Sequence, residues 1–413
     1  MTHPIAGESG HIVISMDSHT EGLVDLKPYL EANYHEQFDE GLKIARETFT
    51  NGVGFFFNMV ESLAIAHVES EDSTALFELP EMDRFHHGDL AGTVEEYLKP
   101  WPIEERIKAI DDDGVAAEFI TPFVGSFSKP IHPDFMHAQT LAFNRWCRDY
   151  FSAAPHRFTA AAAVNLVCPM EQVVEEIGHA FDHGLRAITL AGKVKDHVDP
   201  SLPYYNHTYY DPMWQALSER GMAAVFHVGL GREKPRFLYE GTPQEVGWEI
   251  LFDLDAMRGH QQALVYLLAG GVPERFPGMF FGYVESGCRW IPPLLEELDN
   301  YSRGLPPDSM SQFEMLPSEI WARQGFAAGL MDPWEIENRH TVGVHNLMWG
   351  SDLPHVEGTY PHTREHLAKH FAQVPIEEQQ AILAKNAARV LGFDLAKLAK
   401  TPAAQQSWPS DDG

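Results

Sequence analysis

The chain has 413 residues, 44% of them hydrophobic and 22% charged, which is enough apolar material for a large core in one elaborated domain or in two smaller ones. Its 30 basic and 60 acidic side chains give a formal charge of −30, so it lacks the basic face that nucleic acid or an anionic membrane surface requires. The three cysteines, Cys147, Cys168 and Cys288, are too sparse for a disulfide framework or a Cys-x-x-Cys site.

A cytoplasmic location is expected. The cysteines fit a reducing compartment, residues Met1 to Gly10 lack a basic-then-apolar signal pattern, and no apolar run approaches the roughly 20 residues of a membrane helix.

Taken in order, His11 to Met16 reads as a short buried strand ending in Asp17-Ser18-His19. Alternate strand residues share a face, so Asp17 and His19 are expected to point together, as a metal would require. Residues 22–100 are less regular, with a helical stretch over Glu36 to Phe49 and an apolar patch at Val53 to Phe57; they read as a helical lid inserted after strand one. From Trp101 the pattern sharpens. Pro102 and the acids Glu104 and Glu105 open a helix that Asp113-Gly114 stops, and Val115 to Thr121 follows as a strand.

The alternation continues. A helix is expected over Asp134 to Ala153, a strand near 160, a helix over Met170 to His183, a strand near 187, a helix through Met213 to Leu217, and strands near 224, 281, 326 and 347. With the strand near 12 and the one near 117, this gives eight candidates separated by helices, which means a parallel sheet. The chain is expected to be α/β, a (β/α)8 TIM-type barrel in one domain over 1–400. Its C-terminal helix over Ile376 to Leu391 closes the barrel, and 401–413 form a flexible tail. No Gly-x-Gly-x-x-Gly or phosphate-loop pattern is present.

Barrel active sites are built at the C-terminal ends of the strands. Metal-ligand residue types occur there repeatedly: Asp17 and His19 on strand one, His227 on strand five, Glu285 on strand six, Asp352 on strand eight, and His355 just beyond it. Each is weak alone, since a carboxylate before a proline is also common turn chemistry. Together they point to metal.

These stretches resemble the amidohydrolase superfamily, in its amidohydrolase-related branch that includes aminocarboxymuconate semialdehyde decarboxylase-like enzymes. The matching pieces are Met16 to His19, Pro102 to Gly114 with its following strand, Phe226-His227, Glu285 to Pro292, and Trp349 to His355. Two positions depart from the pattern. Asp17 stands where the superfamily's first motif usually has His, and Glu285 stands where many members place a strand-six His. The carboxylated lysine known from strand four is not evident, Lys193 being the nearest candidate.

The resemblance implies metal ligands at Asp17, His19, His227, Glu285 and Asp352, with Asp352 and His355 catalytic. Three carboxylates packed together repel unless positive charge compensates them, which leads to an expectation of two divalent ions per chain, iron or manganese ahead of zinc. The activity implied is a metal-dependent hydrolase that turns metal-activated water on the carbonyl of an amide, ester or thioester, an acyl-CoA thioester included, with a bulky apolar acyl group. The alternative is non-oxidative decarboxylation of an aromatic or unsaturated acid, for which Arg289 could hold the carboxylate. Glu21 and His137 are weaker pocket candidates. The expected partner is a small-molecule substrate, and a homodimer is compatible with the lid's aromatic residues.

Overall fold

The computed structural model describes residues 12–20, 26–40, 101–122, 133–228, 248–306, 314–355 and 358–406. Eight parallel strands lie side by side in chain order: β1 (Ile14–Ser15), β2 (Ala117–Ile120), β3 (Phe158–Ala162), β4 (Ala187–Leu190), β5 (Ala223–His227), β6 (Phe280–Val284), β7 (Gly325–Gly329) and β8 (Leu347–Trp349). Backbone bonds from β8 to β1 bring the two ends of the sheet together: Met16 N–H donates to the Trp349 carbonyl (3.0 Å) and His19 N–H to the Leu353 carbonyl (2.7 Å). The barrel read from the sequence is the barrel observed, strand for strand.

Between the strands run α1 (Ile103–Asp113), α2 (Pro133–Phe151), α3 (Met170–Asp182), α4 (Asp211–Arg220), α5 (Trp248–Ala269), α6 (Ile291–Arg303) and α7 (Pro317–Gln324). Their termini follow local chemistry. Glu104 and Glu105 sit in the first turn of α1, and Gly114 takes the left-handed φ of 85° that ends it. The barrel interior is filled by Ile14, Met16, Phe119, Val225, Phe326 and Met348, with Ala161, Ala187 and Ala223 making room for the large neighbours. A second apolar layer, including Trp214, Trp321 and Trp349, fills the space between strands and helices.

The C-terminal run Ile376–Gln380, Ala381–Lys385 and Asn386–Leu391 closes the end of the barrel opposite the strands' C-termini. Asn386 Nδ2 donates to the carbonyls of Val344 and Leu347, each at 2.8 Å, where β8 begins, and Ala384, Ala387 and Val390 join the interior cluster. The packed chain extends further than the expected tail boundary: Pro402–Gln405 is helical, Ala403 and Ala404 are buried, and Gln406 Nε2 donates to the Asp111 carbonyl at 2.7 Å. Residues 407–413 lie outside the described residues, as does the expected lid over 22–100 apart from 26–40. Among the described residues no helix is long and apolar enough to cross a membrane.

Candidate metal centre

The strand ends gather the expected side chains at one mouth of the barrel. Asp17, His19, His227 and Glu285 bring ligand atoms within 4.8 Å of one another, and His19, Asp352 and His355 do the same. His227 Nε2 lies 3.1 Å from Asp17 Oδ1 and 3.1 Å from Glu285 Oε2. His19 Nε2 lies 3.2 Å from Asp352 Oδ1 and 3.5 Å from Asp17 Oδ1. His355 Nδ1 is 2.7 Å from Asp352 Oδ1, and its ring stacks on His19 with centroids 4.3 Å apart.

Strand alternation does not by itself produce this convergence. Val284 belongs to the interior cluster, so plain alternation would send Glu285 outward. Glu285 instead has φ 61°, and Asp352 has φ 59°. The left-handed region costs a non-glycine residue of the order of 1–3 kcal/mol, and here it turns two carboxylates toward the mouth. On β1 the chain bends at Met16, and Ser15 and Ser18, three residues apart, meet each other's hydroxyls at 2.9 Å. Ile14 and Met16 face the interior, so plain alternation would send Asp17 and His19 outward, and the bend turns that shared face to the mouth.

The imidazoles are held from behind. His19 Nδ1 faces the Thr121 carbonyl at 3.2 Å and His227 Nδ1 faces the Val228 carbonyl at 2.7 Å. A carbonyl only accepts, so each Nδ1 carries hydrogen and each Nε2 is directed at the carboxylates. Arg106 Nη1 donates to the His19 carbonyl at 2.7 Å, while its Nε and Nη2 grip Glu118 at 2.7 and 3.1 Å. His260 of α5 hydrogen-bonds the His227 backbone, and burial pushes its pKa down to about 3, leaving it neutral.

Charge in the cluster is unbalanced. Burial raises the Asp17 carboxyl, but hydrogen bonds with His19 and His227 outweigh it and hold its pKa below the ordinary value. Burial raises Asp352 too, and there the His355 charge and the hydrogen bonds with His19 and His355 hold it well below the carboxylate range. Both stay ionised, yet Asp17 Oδ2 and Asp352 Oδ2 are buried with no hydrogen-bond partner among the described residues. Ionised oxygens facing two Nε2 atoms need a cation among them. The donor set, two imidazole nitrogens and three acids, fits a divalent metal.

The weaker candidates have other described surroundings. Arg289, more than half exposed, pairs with Asp332 and lies over the Trp334 ring at 5.1 Å. The Lys193 stem packs beside Gly259 of α5. His137 sits near the start of α2, its pKa lowered by burial and by Arg145, and no described contact joins it to the cluster. Glu21 lies outside the described residues. Arg106, Glu118, His260 and the serines beside Asp17 and Asp352 were not singled out by the sequence. Arg106, His260 and Ser351 reach backbone groups and Glu118 holds Arg106, while Ser18 meets only neighbouring hydroxyls; only the fold shows which groups each one reaches.

Comparisons with known proteins agree with this architecture. An amidohydrolase family model matches residues 73–393. Comparison with curated proteins gave no match. An amidohydrolase from Mycobacterium avium subsp. paratuberculosis superposes with TM-score 0.64 at 18% identity, covering 94% of this chain and 100% of that one. A 5-carboxyvanillate decarboxylase from Novosphingobium aromaticivorans, complexed with manganese and 4-hydroxy-3-methoxy-5-nitrobenzoic acid, gives TM-score 0.60 at 15% identity over 94% of this chain and 97% of its own. A 2,6-dihydroxybenzoate decarboxylase from Rhizobium gives 0.56 at 16% identity over 76% and 96%. At these identities the likeness is one of fold.

Proposed function

The chain belongs to the amidohydrolase family, and on that premise we propose that it is a metal-dependent enzyme that removes carbon dioxide, without oxidation, from a small aromatic or unsaturated acid. The observation that carries this reading is the Asp352–His355 pair, 2.7 Å apart, beside the ligand cluster. Manganese in a decarboxylase of the same fold supports it.

Asp17, His19, His227 and Glu285 would hold the metal, with Asp352 beside it. The oxygen-rich set favours manganese or iron over zinc. His19 has one Nε2 to give and belongs to both ligand groups, so the donors are used most completely by one ion. A second ion, as the three carboxylates lead one to expect, would have to rely on Asp352 and His355. When bound, the metal supplies Lewis-acid polarisation of a substrate oxygen.

The protein's own part is the proton. In decarboxylation the bond from carbon to the carboxylate breaks, its electron pair stays on carbon, and carbon takes a proton. His355 can deliver it, because Asp352 remains a carboxylate and steadies the imidazolium. The His355 side chain is 13% exposed, so it can be recharged from solvent. Buried Asp352 cannot serve that purpose alone.

Hydrolysis of an amide, ester or thioester is the second reading, favoured by the same ionised Asp352, which could take a proton from water. The deciding experiment loads the protein with manganese and offers hydroxybenzoic and unsaturated acids alongside ester, amide and thioester panels, with metal counted on the same sample. Carbon dioxide release with about one ion per chain supports decarboxylation. Carbonyl cleavage without carbon dioxide puts the hydrolase reading in its place.

A further inference from the structure

Asp17 and Asp352, the two buried acids of the proposed metal centre, lie on opposite sides of the β8–β1 seam, and that seam is irregular. In a regular parallel ladder, the bond from Met16 N–H to the Trp349 carbonyl would be followed by one from Ser351 N–H to the Met16 carbonyl. Instead Ser351 N–H donates to the Ser15 side chain, Oγ, at 2.8 Å. The next backbone bond is displaced, running from Asp352 N–H to the Asp17 carbonyl at 2.7 Å.

We propose that Ser15 is a positioning residue for the metal centre, its hydroxyl replacing a missing ladder bond so that Asp17 and Asp352 face the same ion. This inference rests on the metal centre proposed above. The Ser15 hydroxyl has one hydrogen and two lone pairs. It donates to the Asp17 carbonyl at 2.8 Å and accepts from Ser351 N–H, so one oxygen ties the residue bearing one acid to the neighbour of the other. Its remaining lone pair can accept from one neighbouring hydroxyl, with Ser18 at 2.9 Å and Ser351 at 3.0 Å both in reach. All three serines are buried, so water does not stand in for a lost bond.

Ser18 is the internal control. Its hydroxyl touches the hydroxyls of Ser15 and Ser351, at 2.9 and 3.3 Å, and among the described residues it bonds no backbone group. Ser15→Ala and Ser18→Ala therefore delete the same atom from the same cluster, but only the first releases the backbone on both sides of the seam.

The test measures cobalt(II) affinity by competition with a chelator, the cobalt d–d absorption spectrum, and Tm, for the wild type and both variants. Ser15→Ala is expected to lose about 10- to 100-fold in cobalt affinity with an altered spectrum, as groups that orient metal ligands generally do. Ser18→Ala is expected to stay within about twofold of wild type, with its spectrum unchanged. Ser15→Cys fills the space with a poor donor and acceptor and gives the same reading should Ser15→Ala not fold. Wild-type affinity and spectrum in the Ser15 variants, or equal losses in Ser18→Ala, overturn the inference alone. A wild-type protein that binds no cobalt overturns the metal centre and the inference with it.

Discussion

Gly350 lies against Asp17 so closely that a Cβ on it would stand 2.4 Å from the Asp17 Cβ and 2.9 Å from the Asp17 nitrogen. The obstructing atoms are backbone and the root of the Asp17 side chain, which cannot swing away. Gly350→Ala must therefore push Asp17 out of place or part the β8–β1 seam. We expect a stability loss of about 1–3 kcal/mol, the usual cost of overpacking, together with a larger proportional loss of bound metal. Thermal melts and metal content of the purified variant check both, and a fully metallated Gly350→Ala protein would show that the seam yields more easily than the packing indicates.

The Arg106–Glu118 pair is buried on both sides, and its guanidinium also holds the His19 carbonyl. Removing one partner strands a charge. Arg106→Gln is expected to cost about 3–5 kcal/mol in urea unfolding. Replacing both charges, with Arg106→Met and Glu118→Leu together, should restore most of that stability, because no lone charge remains. It should not restore metal affinity, because the His19 carbonyl still lacks its donor. If the double variant recovers stability and metal binding together, Arg106 serves the core and not the site.

How far the sequence could be read differs between scaffold and site. The eight strands were legible because each is a short apolar run closed by a helix signal, and the acids and histidines at their ends were legible because strand ends are where barrels place chemistry. α5 was harder. Ala263, Leu264, Leu267 and Leu268 are buried while Leu254 is exposed, so its apolar residues do not form a clean stripe. The orientation of Glu285 was not legible either, since period-two alternation points it away from the mouth and only its φ of 61° brings it back. Ser15 looks like an ordinary strand serine and Ser351 like a turn serine until the seam between them proves to lack a ladder bond.

Asp352 and His355 should separate in their effects. His355→Gln removes the proposed proton donor but leaves Asp17, His19, His227 and Glu285 in place, so metal content should hold while kcat falls by about 10²–10⁴-fold with little change in KM. Added imidazole should recover part of the rate. Asp352→Asn removes the acid that faces both His19 and His355, so it should lower metal content as well as kcat. Equal loss of metal in both variants would place His355 among the ligands and support the second ion.

Metal removal should change how stability depends on pH. Asp17 and Asp352 have folded pKa values below the ordinary 3.8, so the stability they add is present above that value and is lost as pH falls through their folded values. His19 runs the other way. Burial and the His355 charge lower its pKa, but bonds with Asp17 and Asp352 outweigh them and raise it above the ordinary 6.5. Its contribution is complete below 6.5 and is lost as pH rises through the raised value. In chelator-treated protein the cluster should therefore stabilise the fold most between 3.8 and 6.5 and less on the alkaline side. Metal takes Nε2 without its proton, so the gain in Tm on adding manganese should grow as pH rises over the range where the apoprotein weakens. Melting curves from about pH 4 to about pH 9, with and without manganese, test this, and His19→Gln subtracts the titration of the rest of the chain. A manganese effect that is flat across neutral pH, or one that His19→Gln leaves unchanged, would mean that His19 is not competing between proton and metal.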